Sequence, residues 1–150
     1  MPMSWHTMME FVPPLVGCVI SSQNYTFEVL QATGECVLNV PTAELARKVV
    51  ACGNASGRSV DKFKTFGLTP VAAAVVQAPL IVECHASLEC KVVDRTLVKK
   101  YNFFILQVVK AWIDPRRKRP RTLHHQGEGV FAVPGSILKL PSPKTSFLHP

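Results

Sequence analysis

Two long neighbouring stretches near the middle constrain this chain most. Residues 80–98, LIVECHASLECKVVDRTLV, alternate: Ile81, Glu83, His85 and Ser87 fall on one side, Val82, Cys84, Ala86 and Leu88 on the other. A period of two marks a strand, because successive side chains point to opposite faces. Residues 101–114, YNFFILQVVKAWID, follow directly after Lys99 and Lys100. The two stretches read as a long antiparallel hairpin with a tight turn at the lysines.

The remaining segments supply strands and short helices around that hairpin. Residues 13–20, PPLVGCVI, read as a buried strand, and residues 35–40, ECVLNV, as a second strand ended by Pro41. A helix is expected over residues 27–34, capped by Asn24 or Thr26 and stopped by Gly34. A second spans residues 41–53, with Thr42 as N-cap and Leu45, Val49 and Cys52 on one face. A third, short one begins at Ser59 as cap, and residues 68–79 form a partly extended connector. GVFAVPGSILKL offers two short closing strands about Pro134 and Gly135. The predicted fold is mainly β, an antiparallel barrel with short peripheral helices. Residues 1–141 form one domain, with no internal repeat, and residues 142–150 form a poorly ordered tail.

Length and composition narrow the function classes. The chain has 150 residues, enough to bury a core. No apolar run is long enough to cross a bilayer, and the N-terminus lacks the pattern of a secretory signal. Five cysteines (Cys18, Cys36, Cys52, Cys84, Cys90) are an odd number without framework spacing, which predicts free thiols in a reducing, cytoplasmic setting. The net charge of +7 concentrates in DPRRKRPR, from Asp114 to Arg121. That run matches a nucleic-acid patch or a nuclear signal, but no aromatic residues interleave it, and it also reads as a mobile, solvated loop.

Three constellations can hold a ligand. SSQNYT lies between a strand end and a helix start, where backbone N–H groups attract anions and Ser21, Ser22 and Thr26 add hydroxyl donors. A plain capped turn explains the same residues. In CGNASGRSVDKF, a phosphate or carboxylate can meet Arg58, Lys62 and the amides about Ser56 and Gly57. The alternative is a solvated loop with Asp61 paired to Arg58 or Lys62. In MSWHTMM, Trp5 beside His6 and Thr7 suits a flat aromatic ligand, or is a core aromatic on a first strand. Cys84, His85 and Cys90 lie along one strand, with Cys84 and Cys90 sharing a face, and His124 and His125 lie in a loop. Paired metal-ligand spacing is absent, so no metal is expected. No Ser–His–Asp signature, Walker loop or Gly-x-Gly-x-x-Gly occurs.

Taken in order, MSWHTMMEF, PPLVGCVISSQNYTFEVLQATGECVLNVPT, CGNASGRSVDKF, GLTPV, APLIVECHASLECKVVD and YNFFILQVVKAWID resemble the flavin reductase-like, FMN-binding split-barrel family, its flavoredoxin-type branch above all. The resemblance covers the chain from Met3 to about Leu140. It implies a homodimeric β-barrel with FMN at or near the subunit interface. It places Ser4, Trp5, His6 and Thr7 beside the isoalloxazine, and Ser21, Asn24, Tyr25 and Thr26 around the FMN phosphate. Ser56, Arg58, Asp61 and Lys62 face the flavin, and His125 and Phe131 belong to a closing loop. The implied function is NAD(P)H-dependent flavin reduction, or flavoredoxin-type electron transfer to a downstream acceptor. No side chain is assigned a catalytic role, because hydride passes from NADH or NADPH to flavin by stacking and positioning. A non-catalytic FMN-binding or dimerising remnant is the alternative, with a nucleic-acid-binding module on RRKRPR behind it. Family members carry a strand or hairpin upstream of the Ser-Trp motif, so a barrel edge is expected to stand unpaired here. The ending KLPSPKTSFLHP also departs from the family's more basic one.

Overall fold

The computed structural model describes residues 1–135. Its strands are β1 (His6–Phe11), β2 (Pro14–Val19), β3 (Glu35–Val40), β4 (Pro70–Val71), β5 (Leu80–Ile81), β6 (Ala86–Asp94), β7 (Phe103–Ile113), β8 (His124–Gly127) and β9 (Val130–Ala132). Its helices are α1 (Tyr25–Thr33), α2 (Ala46–Gly53), α3 (Lys62–Phe66) and α4 (Val98–Tyr101), with a 3-10 turn at Ala43–Leu45 leading into α2. One antiparallel sheet runs in the order β1-β2-β7-β6-β3, and β4-β5 and β8-β9 form two separate hairpins.

The expected hairpin stands at the centre of that sheet, with Ser87 opposite Trp112 and Val92 opposite Leu106. Its first arm is shorter than the alternation suggests. Leu80 and Ile81 pair with β4, the chain turns so that the Cys84 N–H donates to Ile81 O at 3.0 Å, and pairing with β7 begins only at Ala86. A period of two persists through a turn whose residues happen to alternate, so the pattern alone cannot show the break. The arm ends at Asp94, whose Oδ1 accepts the Thr96 N–H at 2.7 Å. A carboxylate that captures a nearby amide in this way competes with the ladder. In place of a tight lysine turn stands α4, closed by Asn102 in the left-handed region at φ 56°. The ladder also slips between Glu89 and Cys90, and both residues are fully buried. The predicted common face of Cys84 and Cys90 is therefore lost, because Cys84 lies in the turn before β6 begins.

The core lies between this sheet and α1. Val16, Cys18 and Ile20 from the β2 region pack with Leu30 of α1, Cys90 of β6, Val98 of α4, and Phe104 and Leu106 of β7. Phe27 meets Phe104 edge to face at 5.4 Å between centroids. Gly17 allows a close crossing on β2: a Cβ there would lie 2.3 Å from Phe103 Cζ and 2.9 Å from Met9 Sδ.

Several helix caps differ from expectation. Asn24 occupies the N-cap of α1 but forms no side-chain cap bond, while Gly34 ends that helix at φ 68° as expected. Thr42 is buried, and its hydroxyl accepts from Arg117 at 3.3 Å instead of capping. Asp61, not Ser59, caps α3, accepting the Phe63 and Lys64 N–H groups at 3.1 and 3.2 Å. His124 and His125 lie on β8 rather than in a loop, because the chain turns at Gly127, Glu128 and Gly129, all at positive φ. Of the two expected closing strands one is β9; the other, and the 142–150 tail, lie outside the described residues.

Glu89 joins the central strand to the connector. Its buried carboxylate accepts N–H bonds from Ala74 at 3.0 Å, Val75 at 2.6 Å and Val76 at 3.1 Å, and from the Trp112 indole at 2.7 Å. Burial alone would push this carboxyl up. The indole and the three amides outweigh it and hold the pKa at about 2, against an ordinary 4.5.

Two outcomes are expected. Because the folded-state pKa is lowered, the stability Glu89 confers is complete above its ordinary value and disappears as pH falls towards about 2. Thermal unfolding followed across that acid window should show a drop in midpoint that Glu89→Gln flattens. Gly17→Val should cost about 1–3 kcal/mol in chemical denaturation by overpacking against Phe103.

Candidate functional site

A cleft of about 580 Å³ opens where four separate stretches meet. It falls within the range of small-molecule pockets, roughly 300–1,000 Å³. Its walls are the segment from Met1 to Trp5, Val19 at the end of β2, Ser21 and Asn24 before α1, and His125 to Gly127 on β8. The N-terminal segment is held on one side by the sheet, where the Val19 N–H donates to Trp5 O at 3.0 Å. It is held on the other by Ser4, whose Oγ lies 2.9 Å from His125 Nδ1. The His125 ring packs on Phe131 at 5.1 Å.

The turn before α1 is tied by its own bonds. Asn24 N–H donates to Ser21 O at 2.9 Å, and Gln23 N–H to Ser21 Oγ at 3.3 Å. The first turn of a helix leaves its N–H groups without intrahelical acceptors, and Asn24 supplies no side-chain cap to α1. These amides and the helix dipole favour an anion at the cleft edge.

The loop after α2 is brought against the same turn. The Arg58 guanidinium stacks 4.9 Å from the Tyr25 ring centroid and forms an ion pair with Glu28. Ser56 Oγ accepts the Arg58 N–H at 3.2 Å. Gly57 lies so close to Tyr25 that an added Cβ would meet its Cδ1 at 3.3 Å. Lys62 is half-buried and donates from Nζ to Cys52 O at 2.6 Å at the end of α2. The end of α2 in turn lies against the N-terminal segment, where a Cβ added at Gly53 would meet Pro2 Cγ at 3.5 Å.

The sequence-predicted residues thus divide. Ser4, Trp5, Ser21 and Asn24 line one cleft. Trp5 is 73% exposed, so it is not the core aromatic offered as the alternative reading. Tyr25, Ser56 and Arg58 form a cationic ledge at the start of α1, with Thr26 half-buried as the helix's second residue. Asp61 pairs with Lys64 at 3.7 Å rather than with Arg58 or Lys62, and as the cap of α3 it fixes the backbone that carries Lys62. His6 and Thr7 sit outside the cleft lining, on exposed β1 opposite Cys18 and Gly17. Sequence reasoning missed Gln126 and Gly127 in the wall and Glu28 as the holder of Arg58. The Gly-Glu-Gly run was the available signal for the first two. In the basic run, Arg116 and Arg117 pair with Asp114, and Arg117 also with Glu44. The donor set of the cleft and its rim (hydroxyls, helix-start amides, a guanidinium and an ammonium, with an exposed indole) matches a flat aromatic group carrying a phosphate.

Comparison with known proteins identifies the family and the fold. Residues 1–132 match the family model of the flavin reductase like domain. An Archaeoglobus fulgidus protein is 34% identical over 109 residues, which is 73% of this chain and 62% of that protein. The Escherichia coli protein YddH is 31% identical over 147 residues, covering 90% of this chain and 78% of its own. The FMN-binding domain of a flavin reductase-like enzyme from Shewanella baltica superposes with a TM-score of 0.84 at 24% identity, covering 93% of this chain and 80% of its own. Flavoredoxin of Desulfovibrio vulgaris gives 0.82 at 21% identity, covering 92% and 79%. At those identities the two structures establish the fold, and the family model establishes kinship. The chain belongs to the flavin reductase-like family.

Proposed function

We propose that this chain binds FMN in the cleft between its N-terminal segment, the start of α1 and the β8–β9 hairpin. We further propose that it serves as an NAD(P)H-dependent flavin reductase or a flavoredoxin-type electron carrier. The observation that carries the reading is the convergence of Ser4, Trp5, Ser21, Asn24 and His125 on one cleft whose rim carries Arg58. FMN, when bound, supplies a carrier that accepts hydride and passes electrons on.

The chain's own residues bind and orient. Ser21 and the first-turn amides of α1 suit the phosphate, with Tyr25 and Thr26 in that same turn and Arg58 held over Tyr25. Trp5 offers an exposed indole face for the ring. Ser4 bonds His125 and so ties the β8–β9 hairpin to the N-terminal segment in the cleft wall. Lys62, positioned by the Asp61 cap with Ser56 upstream, places positive charge where a ring gaining electrons needs it. His6 and Thr7 enter this reading only as the strand that carries the Ser-Trp segment.

The same edge supports a homodimer. All six residues of β1 are exposed, among them Met8 and Phe11, and its outer side pairs with no strand among the described residues. An open apolar edge of this kind recruits a second chain. The proposed setting is cytoplasmic, and the five cysteines are free. No helix among the described residues is long and apolar enough to cross a membrane.

Titration of FMN into the purified chain should quench flavin fluorescence saturably, in a species eluting as a dimer. Arg58→Ala and Lys62→Ala should each raise Kd about ten- to a hundredfold, the loss expected for one charge-assisted bond. Oxidation of NADH or NADPH with excess free FMN identifies a reductase. Reduction of bound flavin only by an added electron donor identifies a carrier. A chain that folds yet leaves FMN fluorescence unchanged overturns the reading.

A further inference from the structure

Three of the five cysteines meet in the core from three different strands: Cys18 of β2, Cys36 of β3 and Cys90 of β6. Cys36 and Cys90 stand directly opposite each other in the β3–β6 ladder, and Cys36 packs against the buried cluster that contains Cys90. Opposed residues of an antiparallel ladder lie about 4.5–5.5 Å apart at Cα. A disulfide spans about 4.4–6.8 Å, so the Cα separation of an opposed pair falls within the range a bridge requires.

The two thiols are not equivalent. Cys90 is fully buried, whereas Cys36 lies on the outermost strand of the sheet and is partly open to solvent. A hydrogen bond from Cys90 draws the Cys36 thiol below its ordinary 9.0 against the opposing effect of burial. Through the same contact, and then through burial, the Cys90 thiol is raised. The Cys90 S–H also has Leu88 O within reach at 3.4 Å. Cys18 is pushed up to about 12 by burial and the nearby Cys36. Outside the cluster, Cys84 is pushed up to about 11, by burial first and then by Glu83.

We propose that Cys36 and Cys90 form a peroxide-reactive dithiol, with Cys36 as the attacking sulfur and Cys90 as the resolving one. The Cys36 thiolate attacks one oxygen of a hydroperoxide. The S–O bond forms, the O–O bond breaks, and the leaving oxygen departs as water (or alcohol) after taking a proton. Cys90 then gives up its proton and attacks the Cys36 sulfur; the S–S bond forms and the S–O bond breaks, releasing a second molecule of water. Two thiols are oxidised by two electrons and one peroxide is reduced by two. A partially exposed thiol beside a resolving partner is the arrangement that sensor cysteines use. This assignment is independent of the flavin reading, since none of these residues lines the cleft.

The test is treatment of the full chain with hydrogen peroxide, then alkylation of remaining thiols and peptide mass mapping. One Cys36–Cys90 disulfide, reversed by dithiothreitol, is expected, with Cys36 consumed about tenfold faster than Cys52 or Cys84. Cys90→Ala should leave a sulfenic acid at Cys36 that dimedone captures, and Cys36→Ser should keep Cys90 reduced. Faster oxidation of Cys52 or Cys84, or a sulfinic acid at Cys36 beside an unmodified Cys90 in the unsubstituted chain, overturns the proposal. Should the core variants fail to fold, the mapping of the unsubstituted chain decides alone.

Discussion

The antiparallel ladder between β6 and β7 is the pairing on which the rest of the molecule depends. One side of β7 receives β2 and then β1, and the far side of β6 receives β3. Phe104 and Leu106, fully buried on β7, supply the apolar surface against which α1 lays Phe27 and Leu30. Burying such side chains is worth about 1.5–3 kcal/mol each, which dwarfs what the short helices bring by propensity alone. Glu89 and Cys90 are consecutive on β6 and point to opposite faces, so one strand serves two environments in succession. The carboxylate binds the connector, and the thiol joins the core.

From that frame the cleft follows as a meeting of ends rather than as a feature of any one element. Ser4 and His125 are 121 positions apart and touch. Val19 and Ser21 bring the exit of β2 to the same place, and α1 starts there with uncapped amides. Positive charge gathers through Arg58 and Lys62, each held by a partner: Glu28 and Tyr25 for the first, the Cys52 carbonyl for the second. Fixed cations cost little to reorganise when an anion arrives, which is what preorganisation means in energetic terms.

Much of this was legible in the residue order. The strand at residues 35–40, the helix stop at Gly34 and the central hairpin all rest on local chemistry that short windows reveal. What stayed hidden depended on competition between partners. Asp94 and Asp61 captured backbone amides and so set where a strand ended and a helix began. The one-residue slip at Cys90 cannot be seen by counting, because the bulge is defined against β7. His124 and His125 looked like loop residues because their pairing partner, β9, lies across a turn at positive φ.

The Glu89 anchor has a consequence for how this protein can vary. Its three contacts on the connector are all to main-chain N–H groups, at Ala74, Val75 and Val76. Every residue except proline offers that donor. The side chain at exposed Val75 can therefore vary, provided proline stays out and the acid persists at position 89, whereas buried Val76 must also suit its packing. This buried polar contact thus places its chemical requirement on a single side chain and asks of the partner segment's amides only that they be present.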